Sequence, residues 1–107
     1  MDEHIAYYRR LIAQDPRHAD AHLHLAALLR RHGRQHEAIS TYQAAAALLS
    51  DAGLFQEAIS ASKSILEIDP QHTDTHLTLA RLYARLPQAG ARIAQVIVPA
   101  PVLTPVD

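Results

Sequence analysis

Histidine is the residue type through which this chain could do chemistry. There are eight among 107 residues, and no cysteine. Four of them form two matching pairs, His18 with His22 and His72 with His76. Each pair sits four residues apart, about one turn of helix, a spacing that offers two imidazoles to a metal ion. Asp20 and Asp74, between the members of each pair, project to a different side, so neither cluster makes a three-ligand set by itself. The structural alternative is that each Asp stands in a first helical turn, where the helix dipole favours negative charge. We expect that structural role, with no metal and no cofactor. A metal- or pH-responsive module built on the histidines is the alternative.

A second cluster, Arg30-Arg31-His32-Gly33-Arg34-Gln35-His36, is a small basic patch that could meet phosphate or an acidic partner. It also reads as a helix C-terminus, where cations complement the exposed carbonyls. No aromatic residues interleave it, so nucleic acid is not an expected partner. Ser40, Ser50, Ser60, Ser62 and Ser64 fall on predicted helices without a strained nucleophile turn or a His–Asp pair in obvious reach. Three glycines are too few for a phosphate-cradling loop, and no carboxylate pair has a spacing suited to acid and base. The expectation is a protein without catalytic residues.

Whatever these side chains do, helices must position them. Apolar residues recur at the i, i+3, i+4, i+7 spacing of an amphipathic helix over 3–14, 19–32, 35–50, 54–67 and 73–86. The stripes include Ile5, Tyr8, Leu11 and Ile12; Leu25, Ala26 and Leu29; Ala38, Ile39, Tyr42, Ala45, Ala46 and Leu49; Phe55, Ala58, Ile59 and Ile65; and Leu79, Ala80, Leu82, Tyr83 and Leu86. Gly33 and Gly53 follow helix ends, where a left-handed residue is needed. Pro16 and Pro70 open two turns, and Pro87 with Gly90 stops the last helix. The connections are short, so neighbouring helices run antiparallel. Residues 87–107 hold four of the six prolines and read as an extended Pro-rich tail or linker, with 94–98 able to extend as a strand. The division is a helical domain over 1–86 and a tail over 87–107.

Two junctions 54 residues apart share their residues in register: Asp15-Pro16-x-His18-x-Asp20-x-His22-Leu23 and Asp69-Pro70-x-His72-x-Asp74-x-His76-Leu77. Around them lies a repeating pattern. His22-x2-Leu25-Ala26-x2-Leu29 is followed by Gly33 and Ala38-x3-Tyr42. Tyr42-x2-Ala45-Ala46-x2-Leu49 is followed by Gly53, Ala58 and Pro70, and His76-x2-Leu79-Ala80-x2-Tyr83 opens a third unit. Over residues 3–86 the chain resembles the tetratricopeptide repeat family. The resemblance implies an all-α antiparallel array of about five helices, in which small residues such as Ala26, Ala38, Ala58 and Ala80 let helices approach. His22 and His76 take the place of a large aromatic residue and are expected to be half-buried. One departure is plain. Gly33 to Ala38 and Gly53 to Ala58 repeat after 20 residues rather than 34, so helix 35–50 must close one unit and open the next.

The resemblance further implies a protein-interaction or assembly module whose inner face binds a protein or peptide partner, or a second copy of the chain. The matching inner positions include Leu23, His24, Ala27, Arg30 and Arg31, then Leu77, Thr78 and Arg81. Leu23, Ala27 and Leu77 replace the polar residues of a carboxylate clamp, which implies an apolar or mixed face. The arrangement also resembles bacterial proteins in which such repeats precede a signalling domain, for example a cyclic-nucleotide-binding one. A net charge of −1 gives no general attraction to nucleic acid or acidic membrane. No apolar run approaches the ~20 residues that span a bilayer. With no leader-type stretch at the N-terminus, a cytoplasmic location is expected.

Overall fold

A computed structural model describes residues 2–86. They form five helices in chain order: α1 (Asp2–Gln14), α2 (Ala19–Arg31), α3 (Gln35–Asp51), α4 (Phe55–Ile68) and α5 (Thr73–Ala84). No strand occurs among the described residues. The expectations for residues 87–107 lie outside them.

The turns are of two kinds, each built twice. After α2 and α3 the chain reverses through Gly33 and Gly53, at φ of 78° and 81°. The Arg34 N–H then reaches back to the Leu29 carbonyl, and the Leu54 N–H to the Leu49 carbonyl, so the last carbonyls of each helix are satisfied. Between α1 and α2, and again between α4 and α5, proline makes the turn. Asp15 Oδ1 accepts from the Arg17 N–H, and Asp69 Oδ1 from the Gln71 N–H. The Nε2 of His22 bonds the Pro16 carbonyl at 3.0 Å, and that of His76 bonds the Pro70 carbonyl at 2.9 Å. The 54-residue internal repeat is therefore a repeat of turn geometry as well as of sequence.

Packing runs from neighbour to neighbour along the chain, as in other helical arrays. Ala26, Ala38, Ala45 and Ala58 are completely buried, so backbones approach closely where the helices meet. Ile5, Leu25, Leu29 and Ala38 join α1, α2 and the start of α3 in one cluster. A larger cluster centres on α3 and α4 and reaches Ala26 of α2 and Leu82 of α5. α3 is covered on two sides and buries six residues, Ala38, Ile39, Tyr42, Ala45, Ala46 and Leu49. It thus packs against α2 and α4 at once, as its double place in the repeat pattern requires.

α5 departs from its expected stripe. Thr75 and Leu82 are its buried residues, while Ala80 is exposed and Tyr83 is 38% exposed. Among the described residues α4 is the helix that covers α5, so one side of the stripe stays bare.

Candidate functional site

A concavity lies between α3 and α5, with α4 as its floor. Its volume is about 650 Å³. Gln43, Ser50 and Asp51 stand on the α3 wall, and Thr78, Arg81 and Arg85 on the α5 wall. Ser62 and Ile65 of α4 lie beneath.

The internal repeat explains why this space is open. Position 8 in α1 corresponds to position 62 in α4, and position 24 in α2 to position 78 in α5. In the first pair the rings of Tyr8 and His24 stack, 5.1 Å apart and 5° from parallel, and occupy the corner between α1 and α2. In the second pair the same corner holds Ser62 and Thr78. Two small polar side chains replace two rings, and the vacated space opens onto α3.

Ser62 adds an unmet polar demand. The residue is 1% exposed, and its hydroxyl has no hydrogen-bond partner among the described residues. A buried hydroxyl without a partner costs about 1–3 kcal/mol, so a ligand group that reached it, with a small shift of the side chains around it, would recover that free energy. Neighbouring hydroxyls differ in this respect. Ser64 bonds the Ser60 carbonyl, and Ser40 bonds the His36 carbonyl. The walls carry charge of both signs: Arg81 and Arg85 on α5, Asp51 on α3. None of the three belongs to an ion pair among the described residues. Arg85 lies over the Phe55 ring, 4.8 Å from its centre, which holds the guanidinium beside the groove.

The inner-face residues expected from the sequence fall in several places. Thr78 and Arg81 line the groove. Leu77 is 52% exposed and is not among the residues that line the groove. On α2, Leu23 is half-buried against the main cluster, and Ala27 is half-buried too. The Nδ1 of His24 bonds the Asp20 carbonyl while its ring stacks on Tyr8. Arg30 reaches across to Glu67 of α4 at 2.8 Å. The hydrogen bond that Arg30 donates to the Glu67 carboxylate raises the Arg30 pKa above its ordinary value. Arg31 borders a separate shallow pocket with His4, Leu28 and His32. The end of α4 thus lies against the inner side of α2, so the groove forms with α3 instead.

The groove positions on α3 were legible in the repeat pattern. Shifting the inner positions of α2 by the 20 residues that separate the two Gly–Ala spacings gives Gln43, Ala44, Ala47, Ser50 and Asp51, and all but Ala44 line the groove. Ser62 carried no such signal, because its importance lies in what is missing around it.

The histidine pairs are engaged locally. His18 Nδ1 accepts from the Ala21 N–H at 3.1 Å and caps α2, while His72 Nδ1 meets the Thr75 hydroxyl at 2.7 Å. His22 is half-buried as expected of a packing residue, whereas His76 is exposed. The imidazoles thus hold turns and helix starts. Among the described residues no group of three His, Asp or Glu side chains is placed to hold a metal ion. In the basic cluster, Arg34 pairs with Glu37, which also receives Arg9 at 3.2 Å. These ion pairs are exposed, and such pairs contribute at most about 1 kcal/mol each. Among the described residues no helix is long and apolar enough to cross a membrane.

A comparison with curated proteins finds no match to the chain. A family model described as tetratricopeptide repeat matches residues 7–40, from the middle of α1 through α2 into the start of α3. The junction at Pro16, the turn at Gly33 and the buried Ala26 and Ala38 all lie in that stretch. The chain thus carries a tetratricopeptide-type repeat over residues 7–40, and the five helices of the described residues form an all-α array like those such repeats build.

Proposed function

We propose that this chain is a non-catalytic protein-interaction module that takes a short segment of a partner protein in the groove between α3 and α5. One observation carries the reading: an open groove of about 650 Å³ whose floor holds the buried, unpartnered Ser62 hydroxyl. The groove's apolar share, from Ala46, Ala47, Ile65 and Leu82, suits aliphatic side chains of the segment. Ser62 suits a backbone amide or carbonyl, and Arg81 with Arg85 suits an acidic residue at the segment's edge. A cytoplasmic setting, and a connection through residues 87–107 to a signalling domain, belong to this reading by resemblance.

The test is selection of a random-peptide display library on the full chain, followed by affinity measurement. Thr78→His places at position 78 the residue that α2 carries at position 24, and narrows the groove. It is expected to weaken selected peptides tenfold or more. Ser62→Ala is expected to stabilise the free chain by about 1 kcal/mol, because it removes an unpaired buried hydroxyl. The same substitution is expected to weaken peptide binding. Selected peptides indifferent to both substitutions would remove the groove from the reading.

A further inference from the structure

The ends of the array are complementary, and we propose that chains associate head to tail, α5 of one copy packing against α1 of the next. The internal repeat shows what each bare face is built to meet. Ala26 and Leu29 of α2 are 0% and 1% exposed where α3 packs on them. Their counterparts in α5, 54 residues on, are Ala80 and Tyr83, exposed and 38% exposed. At the other end, Ala58, Ala61 and Ile65 of α4 are buried at its packing against α3. Their counterparts in α1 are His4, Tyr7 and Leu11. His4 is exposed, Tyr7 is 49% exposed and Leu11 is half-buried.

Among the described residues each face therefore lacks a helix in the place that α3 fills inside the array. α3 acts as the second helix for α2 and as the first helix for α4. α5 has the sequence pattern of a first helix and α1 stands where a second helix stands, so each supplies what the other lacks. The contact is heterologous, so it propagates into chains of copies unless the rotation closes a ring. It uses the side of α5 away from Thr78 and Arg81, and is independent of the proposed groove.

The experiment is sedimentation or light scattering of the full chain over a wide concentration range. The expected result is a mass that rises with concentration beyond two copies. Tyr83→Glu and Tyr7→Glu each remove one face, and each is expected to weaken self-association by about tenfold or more, roughly 1.4 kcal/mol. Mixed together they retain one intact face each, so the mixture is expected to form a pair that stops at two copies. Circular dichroism checks that the variants keep their helices, and Ala80→Arg serves for α5 if Tyr83→Glu does not. A wild-type chain that stays monomeric, as it would if residues 87–107 covered α5, overturns the proposal. So does retention of association in Tyr7→Glu, or failure of the mixed variants to pair.

Discussion

Histidine at residues 18 and 72 occupies the same place in two copies of one turn, yet its Nδ1 does different work in each. His18 accepts a backbone N–H, and such a cap is worth about 1 kcal/mol. His72 meets the hydroxyl of Thr75, which is 2% exposed. Removing His72 therefore strands a buried hydroxyl, whereas removing His18 frees one backbone amide in the first turn of α2. His72→Ala is expected to cost about 1–3 kcal/mol in urea unfolding, and His18→Ala about 1 kcal/mol. Adding Thr75→Val to His72→Ala removes the stranded hydroxyl and should recover part of the loss. If the double variant is no more stable than His72→Ala, the 2.7 Å contact is not what stabilises this turn. The helix starts and turns at these histidines were visible in the sequence. The identity of the atom each ring would meet was not, since it depends on whether position 21 or 75 brings a methyl or a hydroxyl.

Among the elements, α3 is the one on which the array depends. Its pattern of Ala38, Tyr42, Ala45, Ala46 and Leu49 serves two partners, and the 20-residue offset between the Gly–Ala spacings already required this. The cost is tight tolerance on both sides. Ala38 packs in the cluster joining α1, α2 and α3, and Ala58 packs in the cluster centred on α3 and α4. Both are completely buried. Ala38→Leu and Ala58→Leu would force backbones apart, and each is expected to destabilise the chain by about 1–3 kcal/mol. Thermal unfolding followed by circular dichroism reads this directly. An unchanged midpoint for either variant would mean that the helices there have slack. For α5 the sequence pattern overstated burial, because Ala80 and Tyr83 belong to a repeat position whose covering helix is not present among the described residues.

At the scale of the whole molecule, packing between successive helices makes local stability depend on the number of neighbours. α3 has extensive contacts on both sides, whereas α1 and α5 each have one principal neighbour. Amide hydrogens of α3 are expected to exchange most slowly, and those of α5 and α1 first. Uniform protection across the five helices would instead indicate a single cooperative unit. At concentrations where chains associate head to tail, protection of α1 and α5 should rise together, because both faces of the contact are then covered.

Much of this protein follows from one-dimensional pattern. Helix periodicity, the two prolines, the two left-handed glycines and the 54-residue repeat fix five helices and their turns, because these features act over a few residues of chain. The resemblance carried by Leu25, Ala26, Gly33 and Ala38 adds the array type. Three things needed the tertiary structure. The groove exists because Ser62 and Thr78 stand where Tyr8 and His24 stack, a comparison between residues on different helices. The inner side of α2 is occupied because Glu67 and Ile68 reach it from α4. The bare faces of α1 and α5 are bare because of which helices stand beside them. Local periodicity states which residues can be buried, and only the packing of distant segments decides which of them are.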